Sequence, residues 1–166
     1  SRFQSDWERD NEGRLVREAS ERTEVTPPAY PRAANLAQFA ESGGFRFYVD
    51  RSSISVGSDR IVRYALLARS PSGVDNVSYE GLNCETGEYR TYALGRSDGT
   101  WLSRRSAWRS LAGTRVQPWH KELAKNYFCP LEAPIESADE GVRALARGGN
   151  PRATTDLTGG VPSGPK

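Results

Sequence analysis

At 166 residues and 18.3 kDa, with 36% hydrophobic residues, mean hydropathy -0.69, 16 glycines and 10 prolines, the chain has room for one domain with a buried core. Its apolar content is too thin to fold along its whole length. The 23 basic and 21 acidic residues leave a formal charge of +2, spread too evenly to argue for nucleic acid, and no run approaches the roughly 18 apolar residues that cross a bilayer.

Residues 1–44 read as an extended N-terminal arm. Pro27, Pro28 and Pro31 in "TEVTPPAYPRAANLAQF" forbid regular helix or a central strand, so this segment should run over the surface with Tyr30 as an anchor in a groove. Residues 35–40 could form a short helix with Leu36 and Phe39 on one side.

Residues 45–101 read as strands. "FRFYVD" sets Phe45, Phe47 and Val49 on one face and Arg46, Tyr48 and Asp50 on the other, the period of two of a half-buried strand. Ile54 and Val56 follow, then a turn at 57–59, a strand over 60–69, a turn at 71–73 and a strand over 76–84. Gly87 in "ETGE" reverses the chain into "YRTYALG", and Asp98-Gly99 closes the last turn with a dipeptide suited to positive φ. About five up-and-down antiparallel strands are expected.

Residues 102–147 turn helical. Pro118 suits a first helical turn, Trp119, Leu123 and Phe128 share an apolar side, and Pro130 prevents continuation. This helix should cover one face of the sheet. Ser137 and Glu140 form a capping-box pattern and Gly148 a stop, but the apolar side read between them is thin, Val142, Leu145 and Ala146, so the second helix should be peripheral. The 148–166 tail, rich in Gly and Pro, has no periodic apolar pattern and is expected to need a partner surface to become ordered.

The chain has no methionine, initiator included, so Ser1 is expected to follow a removed segment, of which a secretory leader is the commonest. An omitted leader would look the same. Cys84 ends a strand and Cys129 follows a helix, and an isolated pair in an exported protein usually bonds. Closing so long a loop would remove about 4 kcal/mol of chain entropy from the unfolded state. Two separate buried thiols in a cytosolic protein are the rival. A zinc site is disfavoured, because only His120 is available to join them where four ligands are wanted.

Catalytic signals are sparse. His120, the single histidine, would have to serve any Ser/His/Asp or Cys/His arrangement, and beside Trp119 it reads as a surface or packing residue. Asp75, Glu80, Glu85, Glu88 and Asp98 could supply a carboxylate pair but should be solvated or paired with arginine. "GRSDGT" lacks the Gly-Lys-Ser/Thr ending of a phosphate loop. No catalytic residue, cofactor or metal site is assigned. In "WLSRRSAWRS", Trp101 and Trp108 surround Arg104, Arg105 and Arg109. That set could grip bases, phosphates or an acidic protein, or the tryptophans could cap the sheet while the arginines snorkel to water.

"PAYP", "FYVDRSSISVGSDRIVRYALLARS", "NVSYEGLNCETGEYRTYALGRSDGTW" and "YFCP" together resemble the successive motifs of the cryptic neisserial protein-like family, small exported proteins of proteobacteria. The likeness covers roughly residues 27–147, with "YEGLNC" and "YFCP" its most specific part. It implies a periplasmic or membrane-associated location and brings no catalytic residues. The combined expectation is an α+β domain over 45–147, an antiparallel sheet covered on one face by short helices, with a Cys84–Cys129 bond and arms at both ends. Its function would be that of a noncatalytic binding or assembly subunit of a bacterial envelope complex. It would meet a protein partner through the arms and a surface near Tyr30, Arg96, Asp98, Trp101, Arg104, Arg105 and Trp108. A hydrolase using carboxylates is one alternative; a nucleic-acid or anionic-lipid binder is the other.

Overall fold

Alternation in β-branched and aromatic runs, punctuated by glycine turns, builds most of this molecule. The computed structural model describes residues 25–113 and 117–153, and among these eight strands form one antiparallel sheet. They are β1 (Leu36–Ser42), β2 (Phe45–Asp50), β3 (Ser55–Val56), β4 (Ile61–Arg69), β5 (Asp75–Asn83), β6 (Glu88–Gly95), β7 (Trp101–Ser103) and β8 (Arg109–Ser110). The order is β1-β2-β4-β5-β6-β7, with β3 beside β4 and β8 beside β6. The β4–β5 ladder runs without a break from Ile61↔Asn83 to Arg69↔Asp75. Gly73 turns that hairpin at φ +89°, a conformation that costs glycine little.

The sheet exceeds the five expected strands chiefly because the segment read as a short helix at 35–40 is β1. Only Ala33–Asn35 make a 3-10 turn. β1 then pairs with β2 from Leu36↔Asp50 to Ser42↔Phe45, with a bulge between Gln38 and Ala40. The bulge breaks the simple alternation while still turning Phe39 into the core. β3, β7 and β8 are too short for a periodic signal. The folded unit therefore begins ahead of residue 45. It also extends past residue 147, because Asn150 is buried, donating to the Tyr127 carbonyl at 3.1 Å and to Glu140 at 2.9 Å. The remainder of the two arms, residues 1–24 and 154–166, lies outside the described residues.

One face of the sheet carries Phe47, Val49, Val62, Tyr64, Leu66 and Leu82. These meet Leu123, Phe128, Ile135 and Leu145 from the helical cover, each full burial contributing about 1.5–3 kcal/mol. The cover begins with α1 (Pro118–Leu123), whose Trp119 ring stacks on Phe47 with centroids 4.3 Å apart. Past Leu123 the helix widens into a π turn, Ala124–Phe128, closed by a 2.7 Å bond from Cys129 N to Ala124 O. This extra residue per turn lets consecutive Tyr127, Phe128 and Cys129 all face inward. Cys129 thereby reaches Cys84, and the two are bonded with Cα atoms 5.3 Å apart across 45 residues.

The second helix, α2 (Ala138–Arg147), is capped by the Ser137 hydroxyl accepting from Glu140 N, and it stops at Gly148 in the left-handed region. It is not peripheral. Ala144 and Leu145 are buried, and a Cβ on Gly141 would approach Ile135 to 2.9 Å and Phe128 to 3.2 Å. A bare glycine there lets the helix backbone sit directly on the core. The Glu140 side chain departs from the expected capping box, accepting from Glu136 N, Asn150 and Arg152. No helix among the described residues is long and apolar enough to cross a membrane.

Candidate functional site

The two faces of β5 and β6 carry different chemistry. On the face away from the helices, Tyr79, Tyr92 and Ala93 form a second apolar cluster against which Val25 and Trp101 pack. The proline-rich segment of residues 25–31 crosses this face. Trp101 Nε1 donates to the Pro28 carbonyl at 2.9 Å, and the Tyr30 ring lies 5.1 Å from that of Trp101. Tyr30 donates its hydroxyl to the Arg96 carbonyl at 3.2 Å. Burial, with Asp75 and Asp98 near, raises its pKa and keeps the proton on. Gly95 makes the approach possible, since a side chain there would collide with Tyr30 and with Val77. Tyr30 is thus an anchor, as expected, but in a groove of its own sheet.

The Arg96–Asp98 turn is internally satisfied. Asp98 accepts from Thr100 N at 3.0 Å and from its hydroxyl at 2.6 Å, bonds that hold the carboxyl below its ordinary pKa. Arg96 donates to the Trp101 carbonyl at 3.0 Å. Farther along, the guanidinium carbons of Arg63, Arg90 and Arg105 lie 5.3, 5.8 and 5.6 Å from the Tyr92 ring centre. Arg90 also lies over Trp108 at 4.9 Å. Arg63 is engaged with Asp59 at 2.7 Å, while Arg90 donates to the Ser106 carbonyl at 3.0 and 2.8 Å. Ser103, Arg104 and Arg105 stand exposed beside them, whereas Leu102, paired with Leu94, faces the helix side of the sheet. The structure therefore brings Tyr30, Trp101, Arg105 and Trp108 into one strip, with Arg96 and Asp98 at its end and Arg104 within the same edge segment.

On the helix-facing side, a cleft of about 260 Å³ opens between β4–β6 and the start of α1. Leu66, Leu94, Tyr89 and Trp119 line it, with Arg109 and Gln117 also on its wall. Here Glu80 and His120 are 4% and 3% exposed. Glu80 is not the solvated or arginine-paired acid expected from sequence, while His120 is a buried packing residue, one of the two roles expected for it, that also meets a carboxylate. Glu80 Oε1 lies 2.9 Å from His120 Nε2 and accepts from Tyr64 at 3.0 Å, while Ser78 donates to Oε2 at 2.8 Å. Burial pushes the Glu80 pKa up, but His120 and the bonds from Ser78 and Tyr64 outweigh it and leave the pKa below the usual value. Burial beside that carboxylate holds the Tyr64 hydroxyl well above its own. Tyr89 stacks on the imidazole at 3.9 Å. His120 Nδ1 is buried without a hydrogen-bond partner, a state that costs about 1–3 kcal/mol.

A family model described as the CNP1-like family matches residues 16–146, a span that takes in both faces, the disulfide and every sequence-selected side chain. The chain belongs to the CNP1-like family. No curated protein and no solved structure matches it. Among the described residues no group of three or more His, Cys, Asp and Glu side chains could hold a metal ion.

Sequence reasoning passed over the Glu80–His120 pair although a signal was present. Alternation through "SYEGLNC" sets Ser78, Glu80, Leu82 and Cys84 on one side of β5, so a strand turning Leu82 and Cys84 inward must bury Glu80 too. A buried carboxylate needs partners. The histidine that supplies one lies 40 residues on, in the helical cover.

Proposed function

We propose that this CNP1-like protein is a noncatalytic binding subunit of a bacterial envelope complex, working in the periplasm, that holds a protein partner through the aromatic and arginine strip at the β7–β8 edge. The observation that carries this reading is the strip's mounting. Trp101 is tied to Pro28, Tyr30 to Arg96, and Arg90 to Ser106, so large planar groups are fixed beside exposed Ser103, Arg104 and Arg105. Tyr, Trp and Arg dominate binding energy at protein interfaces, and side chains already held in place lose little entropy on docking. The Cys84–Cys129 bond favours an oxidising compartment.

A carboxylate hydrolase draws little support, because Glu80 is the one acid on the cleft wall and both its oxygens already accept hydrogen bonds. The convergence of Arg63, Arg90 and Arg105 on Tyr92 favours an anionic-lipid surface as the second reading, although Arg63 and Arg90 are already engaged within the protein. A photo-crosslinking residue in place of the exposed Ser103, which pairs with Ala93 on the strip's face, activated in intact envelopes, separates these. We expect one discrete protein adduct. Adducts with lipid alone, released steeply by salt, would favour the second reading, and an uncrosslinked monomer would overturn both.

A further inference from the structure

A second concavity, of about 510 Å³, lies at the end of β6 away from the Arg96–Asp98 turn and shares no wall residue with the cleft beside His120. The buried Cys84, Cys129 and Ala124 form its base. Leu111 and Ala112 line it from the segment after β8, held to the β5–β6 turn by Leu111 N, which donates to the Gly87 carbonyl at 2.8 Å. Leu131 lines it from the turn that follows Pro130. The polar residues on the wall are Thr86, Ser110, Lys121, Lys125 and Glu132.

Leu131 is 56% exposed although apolar. Its backbone is left-handed at φ 56°, and Glu132 follows at φ 66°. That conformation is unfavourable for a residue with a Cβ, so two in succession keep a leucine in water beside an apolar hollow at a cost the monomer does not recover. Contiguous apolar surface rimmed by polar groups marks a contact site. The rim carries both signs of charge. Lys125 and Glu132 are exposed on the same wall, and neither forms an ion pair with another described residue. A patch that holds a projecting leucine, a hollow to receive one, a cation and an anion is complementary to itself, as a two-fold contact between identical chains requires.

We propose that two copies of this chain pair through this patch, each Leu131 entering the other's hollow and each Lys125 meeting the other's Glu132. None of Ser103, Arg104 and Arg105 is on its wall, so a pair carries two partner strips. A contact centred on one hollow is small, and the pair should form reversibly.

Sedimentation equilibrium of the full chain, its disulfide intact, over roughly micromolar to millimolar concentrations tests this. We expect a reversible monomer–dimer equilibrium. Leu131→Asn removes the apolar side chain and brings in a residue that accepts left-handed backbone more readily. The urea midpoint of the monomer should hold or rise, while the dissociation constant of the pair increases roughly a hundredfold, since each pair buries the leucine twice. Lys125→Glu and Glu132→Lys should each weaken pairing roughly tenfold or more at low salt, and the two changes in one chain should restore it. A monomer at every concentration, a pair that Leu131→Asn leaves intact, or charge changes that fail to rescue one another would each overturn the proposal.

Discussion

The helix-facing side of the sheet and its outer side at β6 use similar residues for opposite ends. Inside, aromatic rings close over a buried polar pair: Tyr64 and Tyr89 enclose Glu80 and His120, and every bond Glu80 makes is to a buried or half-buried group. Outside, Tyr92 and Trp108 carry arginines on their faces and leave a strip in contact with water. Low dielectric makes the inner network strong when complete and costly when broken. The outer stacks, in water, contribute only about 0.5–1 kcal/mol each. Stability should therefore depend on the inner face and recognition on the outer one.

The hardest blow to that contrast is Glu80→Ala. It leaves His120, Tyr64 and Ser78 without their common acceptor, and we expect about 3–5 kcal/mol of lost stability in urea unfolding. The same carboxylate sets a pH dependence. Its folded pKa is below the ordinary value, so its contribution is present above the unfolded pKa of about 4.3 and is lost as pH falls through the folded pKa. A urea midpoint followed from pH 7 downward should hold to about pH 4 and then decline. Glu80→Gln should flatten that decline, leaving the part due to Asp98, lowered by its bonds from Thr100, and to Glu140, whose pKa is also lowered, burial being outweighed by Asn150, Glu136 N and Arg152.

Breaking the tie between sheet and cover comes next. Replacing Cys84 and Cys129 together by alanine frees a 45-residue loop and should cost about 2–4 kcal/mol at unfolding equilibrium. The exposed strip should keep its partner as long as the chain stays folded. A smaller effect, about 1–3 kcal/mol, is expected for Gly95→Ala, which drives a methyl against Tyr30 and Val77. It should lift the proline-rich segment from Trp101, measurable as a changed tryptophan emission, and should weaken partner capture more than it weakens the fold.

How much of this was legible depended on whether contacts were local. β4, β5 and β6 were readable because "IVRYALLAR" and "NVSYEGLNC" are followed by turns whose glycines, Gly73 and Gly87, are left-handed in the structure, and hairpin partners follow one another directly. β1 was not, because "LAQFAES" is rich in helix formers and its bulge interrupts the period of two. The strip 96–108 was visible as composition, though not its attachment through Pro28 and Tyr30, some 70 residues earlier. The Glu80–His120 pair depended on a π turn and a disulfide setting the cover over β5, and no single segment encodes that meeting.

The most direct measurement is on the double variant Arg104→Glu and Arg105→Glu, comparing urea stability with cross-linking from Ser103 in intact envelopes. Both side chains are exposed, so stability should fall by no more than about 1 kcal/mol, the worth of the Arg105–Tyr92 stack, while the protein adduct disappears. An adduct of undiminished yield from a fully folded double variant would contradict a partner held by this strip.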